Sequence, residues 1–229
     1  MPATLPKSPL PLLLLLLSLT TGLVDAISIL GLGKVFTANM TGNIVFLGFA
    51  TAGAPGFNWL PYVVALTTFL AGAAIAGRIG KAHVGLPLRR WLTVAALVES
   101  GLLGIAGIVA IGFQPDAVDA RLLVIIALTA VAMGFRNATI RQLKVPDMTT
   151  TVLTLTLTGL AADSGLGRGG NPNWQRRIGS VVAIFAGAVI GALLVLHTSL
   201  SVPLVLAGAL VLVGTLACAR HPGAAGLIA

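Results

Sequence analysis

The chain has 229 residues, of which 57% are hydrophobic and 9% charged, and a formal charge of +8. So few charges cannot cover a soluble domain of this length, and several apolar runs reach about 20 residues, enough to cross a bilayer as helices. The runs are continuous, which excludes barrel strands, and the Lys and Arg residues fall mostly in short connections, where they orient spans rather than bind nucleic acid.

In chain order, a first span is expected over residues 10–32; no small-residue cleavage site follows Lys7 and the leucine run promptly, so this span is read as retained. A polar break follows, Phe36-Thr37-Ala38-Asn39-Met40-Thr41-Gly42-Asn43, then a short helix over 44–52 closed by Ala54-Pro55-Gly56. Further spans are expected over 59–79 and 91–113. After the loop 114–119 comes a fourth span, 121–140, and a second break, Val145-Pro146-Asp147-Met148-Thr149-Thr150-Thr151. A second short segment (149–162), a basic loop (163–177) and spans over 178–197 and 202–219 complete the chain.

The halves resemble each other. Gly22-Leu23-Val24-Asp25-Ala26 matches Gly134-Phe135-Arg136-Asn137-Ala138, Met40-Thr41 matches Met148-Thr149, and Ala71-Gly72-Ala73-Ala74-Ile75 matches Ala186-Gly187-Ala188-Val189-Ile190. Three matches in register indicate structural repeats, residues 1–113 and 114–229, within one integral membrane domain. If each short segment dips in and returns, each repeat has three full spans. The inside then collects Lys7, Arg78, Lys81, Arg89, Arg90, Arg136, Arg141, Lys144, Arg168, Arg176, Arg177 and Arg220, and the outside only Lys34 and Arg121. Three is odd, so the repeats must be inverted. The fold expected is an all-α membrane protein: six transmembrane helices as two inverted three-helix repeats, each with a broken or re-entrant short helix (near 42–53 and 149–162), and both termini cytoplasmic.

Asp25-Ala26 ahead of the first break, Ala132-Met133-Gly134 with Asn137-Ala138, and Thr149-Thr150-Thr151-Val152-Leu153-Thr154 together resemble the YoaK family of bacterial multi-pass membrane proteins, over about residues 18–220. The resemblance implies location in the bacterial inner membrane and this architecture, but no substrate. Arg136 stands where that pattern has glutamine, and Leu155 where it has glycine.

Ionisable residues inside spans are costly and default to functional hypotheses. Asp25 either braces the nearby broken backbone or takes part in binding or proton coupling. Glu99 either hydrogen-bonds a neighbouring helix or carries a proton or cation. If the two breaks open short helices near the midplane, their N-termini face each other and favour a small polar or anionic solute. Asp25, Asn39, Thr41, Gly42, Asn43, Asn137, Thr149, Thr150 and Thr151 are the candidate binding residues, and Asn43→Leu is expected to remove binding at little cost in stability. The competing reading is a closed core in which Thr and Asn side chains cap one another. No catalytic constellation, metal-ligand spacing or cofactor motif is present, so an enzyme is not expected. The partners expected are the lipid bilayer, an unidentified small solute and a second copy of the chain. The function expected is a secondary transporter or channel-like permease; the alternative is a non-transporting scaffold or sensor whose basic loops bind a partner or anionic lipid.

With Cys218 replaced by alanine, single cysteines at 82 and 170 should react with an impermeant maleimide only from the cytoplasmic side, and one at 117 only from outside. Labelling of 82 and 170 from opposite sides would end the three-plus-three arrangement.

Overall fold

The computed structural model describes residues 8–114, 118–143, 153–165, 167, 169–171 and 173–222. Within them the chain forms helices α1 (Leu10–Gly31), α2 (Met40–Thr51), α3 (Trp59–Ala82), α4 (Leu88–Val109), α5 (Ala120–Leu143), α6 (Leu153–Ala162), α7 (Trp174–His197) and α8 (Ser201–Arg220), with no strand. Six of these are long and apolar enough to span a membrane, whereas α2 and α6, at 12 and 10 residues, are too short. The protein is thus an all-helical, multi-pass membrane protein.

Helix ends depart from the sequence pattern for local reasons. Asn58 accepts from the Leu60 amide at 3.0 Å and starts α3. Asp119 does the same for α5, accepting from Leu122 N at 2.7 Å. Arg121 closes the other side of that turn, donating from Nε to Val109 O (2.6 Å) and from Nη2 to Ile111 O, so a cation sits on the C-terminal carbonyls of α4. The chain leaves α1 through Gly33 and Lys34, both at positive φ. α7 starts at Trp174, earlier than the apolar run, and so takes Arg176 and Arg177 into its first turn.

Glycines set the helix pairing. A Cβ at Gly22 would strike Ile184 O and Ala188 N, and one at Gly187 would strike Leu19 O, so α1 and α7 cross with backbones in contact. The same happens between α3 and α5, where Gly134 meets Phe69 O and Gly72 meets Val131 O. Gly22 and Gly134, and Gly72 and Gly187, are the very positions that match between the two halves of the sequence. The remaining large contacts also come as matched sets: α4 lies on α5 as α8 lies on α1, α2 packs on α3 as α6 packs on α7, and α4 faces α8.

Contact order gives the direction of each span. α1 and α7 are parallel, because Leu15 faces Gly179, Leu19 faces Gly187 and Leu23 faces Gly191. α3 and α5 are parallel as well, with Gly72 on Val131 and Gly80 on Gln142. α8 is antiparallel to α1 and to α4, since Gly31 meets Leu200 while Gly214 meets Leu16, and Gly107 meets Val205 while Gly208 meets Leu103. The six spans therefore alternate in direction. One end of the bundle gathers Arg78, Lys81, Arg89, Arg90, Arg141, Arg176 and Arg220, and the other has Lys34 and Arg121. α2 packs on α3, which starts at the second end, and α6 on α7, which starts at the first, so the short helices belong to opposite ends.

Gly22→Val and Gly134→Val should each lower stability by about 1–3 kcal/mol or more, the cost of overpacking where the obstacle is backbone. Gly101→Ala, with nothing within 4 Å of its added Cβ, should be close to neutral. Thermal midpoints in one detergent compare the three; equal midpoints would mean that the crossings are not close.

Candidate functional site

Arg136 is the largest charged side chain inside the bundle, 1% exposed on α5. Its Nε donates to Oε1 of Glu99 on α4, itself 4% exposed, and Nη2 makes an ion pair with the same oxygen. Nη1 donates to Thr21 Oγ1 (3.0 Å) and Leu17 O (3.2 Å) on α1. One guanidinium thus ties three helices together. A guanidinium fork is suited to this, because it offers five donors in fixed directions and stays charged. Nη2 is not aligned for a hydrogen bond, and beside the pair lies a cavity of about 20 Å³ lined by Leu13, Leu17, Leu92, Glu99, Arg136 and Thr215. That is room for about one water, which would take the remaining donor.

Asp25 lies one turn beyond Thr21 on the same face of α1. Its Oδ1 is shielded from solvent and has no hydrogen-bond partner, and the residue as a whole is partly exposed. Asp25 sits inside α1 and accepts no amide of the break among the described residues, so the brace reading has no bond behind it. Ser18, Thr21, Asp25 and Ser28 recur at spacings of three and four, which puts a polar stripe along one face of α1. Ser18, Thr21 and Ser28 are buried, and the Ser28 hydroxyl pairs with Thr37 Oγ1 at 2.8 Å, carrying the stripe into the first break.

The break itself is held by Asn43, which is fully buried. Its Oδ1 accepts from Phe36 N at 2.9 Å and its Nδ2 donates to Phe36 O at 2.5 Å. Both ends of the amide are spent on one residue's backbone. The expectation that leucine is tolerated at position 43 is therefore corrected: Asn43→Leu strands two polar groups of Phe36, a loss of about 1–3 kcal/mol each. Gly42 lies against the Phe36 ring, and Asn39 and Thr41 are exposed at the start of α2. Asn137 donates to Met133 O at 3.0 Å. Thr149, Thr150 and Thr151 lie outside the described residues, and the two short helices sit at opposite ends rather than as a described pair at one centre.

Two arginines counted from the sequence among the inside charges are buried. Arg136 is one, and its signal was legible: an arginine and a glutamate, each deep in an apolar run. The other is Arg177, which donates to Asp163 Oδ2 (2.8 Å) and Asn171 Oδ1 (3.1 Å) and packs on Gly159. Among the described residues no group of three His, Cys, Asp or Glu side chains is placed to hold a metal.

Arg136→Met should destabilise the protein by about 3–5 kcal/mol, because Glu99 is left as an uncompensated buried charge, and Arg136→Met with Glu99→Leu should recover most of that loss. Unfolding midpoints of the single and double variants, measured side by side, check the coupling. A double variant no better than the single one would dissolve the pair.

Residues 13–217 match a family model described as a protein of unknown function, DUF1275. The UPF0700 transmembrane protein YoaK of Bacillus subtilis (strain 168) is 37% identical over 155 residues, covering 66% of this chain and 65% of that protein's length. The match therefore spans slightly less than two thirds of that relative. No solved structure matches the chain. Six apolar spans, a chain-long family match and a transmembrane relative agree with one another: this chain belongs to the DUF1275 family of YoaK-type multi-pass membrane proteins.

Proposed function

We propose that the chain is a secondary transporter or channel-like permease for a small polar or anionic solute, with its centre at Asp25, Glu99 and Arg136. The observation that carries this reading is the partnerless Asp25 carboxylate oxygen, held in a transmembrane helix on a polar stripe one turn from Thr21, which Arg136 binds. A purely structural core gains nothing from such a group, since an unsatisfied buried acceptor costs about 1–3 kcal/mol. Proton-carrying and ion-carrying sites need one.

Charge balance supports coupling to protons. Arg136 pairs with Glu99, and Asp25 lies one turn from the Thr21 that Arg136 binds, so the three groups together are neutral when one carboxyl is protonated. An anion that arrives with one proton leaves the centre's charge unchanged, which keeps the cost of entering a dry bundle low. The alternating spans and matched crossings support two inverted three-span repeats, an architecture in which one half rocks against the other about a central site. Backbone-to-backbone contact at Gly22–Ile184 and Gly134–Phe69 makes α1 with α7, and α5 with α3, the natural rigid pairs. The basic end, with both termini, belongs in the cytoplasm of a bacterial inner membrane by the positive-inside rule.

The test is charge movement. Proteoliposomes on a solid-supported membrane, given concentration jumps of small carboxylates, phosphate and neutral polyols, should show a current for at least one solute class. Asp25→Asn should abolish it while the protein still elutes as a folded peak. If no class gives a current above empty liposomes, and none raises the thermal midpoint of the purified protein, the permease reading fails.

A further inference from the structure

At the basic end of the bundle a recess of about 780 Å³ opens between the first turn of α4 and the last turn of α8. His83, Arg89, Arg90, Thr93, Arg220 and His221 line it, over apolar wall from Val94, Leu216 and Ala219. None of its lining residues is acidic. Arg89, Arg90 and Arg220 have no acidic partner among the described residues, in contrast to Arg136 and Arg177, which are both paired.

This arrangement concentrates positive charge on one exposed surface. α4 begins at Leu88 behind Pro87, with no side-chain cap on its first amides and no acid in its first turn. Helix N-termini carry about half a positive charge and are normally given Asp or Glu, yet here the first turn holds two arginines. Arg220 adds a third cation, from a helix C-terminus that compensates it only in part. Three exposed guanidinium groups and the start of α4 thus converge on one recess, and among the described residues no carboxylate faces them.

We infer that this recess binds a phosphate ester, with Arg89, Arg90 and Arg220 on its oxygens. Guanidinium groups match phosphate in bidentate geometry, and a helix N-terminus adds amide donors of the right sign. The apolar wall beside the charges fits the glycerol and first methylenes of an anionic lipid, whose headgroup lies at this depth of the bilayer. The site stands apart from the Arg136 centre and holds whether or not the chain transports a solute.

Thermal midpoints of the purified full chain test it, with phosphatidylglycerol, phosphatidylcholine or soluble sn-glycerol 3-phosphate added to the micelles. Phosphatidylglycerol in large excess should raise the midpoint by about 5 °C, the scale of saturating mass action on a chain of this size. Phosphatidylcholine should not. The shift should vanish in Arg89→Gln/Arg90→Gln/Arg220→Gln and persist in Arg78→Gln/Arg141→Gln/Arg176→Gln, which removes as much charge from the same end outside the recess. If the recess triple variant does not fold, the single changes Arg90→Gln and Arg220→Gln should each reduce the shift. An equal response to sn-glycerol 3-phosphate supports the site and makes its ligand a soluble phosphate ester. Loss of the shift in both triple variants alike, or in neither, overturns the proposal, as does the absence of any shift in the parent.

Discussion

The Arg136–Glu99 pair is the constraint on which the centre of the bundle depends. Neither group can be stripped of water alone, because an isolated buried charge costs several kcal/mol even after relaxation. Each is therefore held against the other, and the helices that carry them, α5 and α4, must lie side by side at this depth. Through Thr21 and Leu17 the same guanidinium fixes where α1 passes. Three helices from different parts of the chain are placed by one side chain, and Asp25 stands one turn from its Thr21 contact. Such a pair is weak evidence for net stability, since apolar side chains could fill the volume as well. It is strong evidence for a specified arrangement.

A second constraint, of opposite character, organises the periphery. Where α1 meets α7 and α3 meets α5, the backbones touch at Gly22, Gly187, Gly72 and Gly134. In a bilayer the apolar effect does not drive helices together, so close packing at small residues has to do so. The consequence is a bundle made of two tight pairs, with α4 and α8 closing against each other between them. Polar groups follow the same division: the α1 stripe and the α4–α5 ion pair are interior, whereas α7 is mostly lipid-facing, with Arg177 drawn back onto Asp163 and Asn171.

The relation to the YoaK-type pattern turns on position 136. A glutamine there can bond to Thr21 or Leu17 but brings no charge, so it would leave a glutamate at position 99 unneutralised. The basic recess is a separate matter of surface electrostatics. Arg89, Arg90 and Arg220 have no acidic partner among the described residues, while the buried Arg136 and Arg177 are each paired with a carboxylate.

By itself the sequence determined the class and the number of spans. Those follow from local chemistry, since twenty apolar residues in a row have few alternatives to a membrane helix; that the matched glycines mark the helix crossings came from the structure. The sequence also marked Asp25, Glu99 and the polar break at Asn43 as costly, because the price of a polar group in hydrocarbon depends little on the fold. Only the tertiary structure decided what those groups touch. Glu99 needed α5 alongside it to meet Arg136, which the sequence reading counts among the inside charges. Asn43 looked available for a solute until Phe36 folded back onto its amide. Arg89, Arg90 and Arg220 are ordinary flanking charges until α8 ends beside the start of α4. Composition sets the cost of a side chain in lipid; its partner is set by which helix lies next to it, and that depends on packing between segments far apart in the chain.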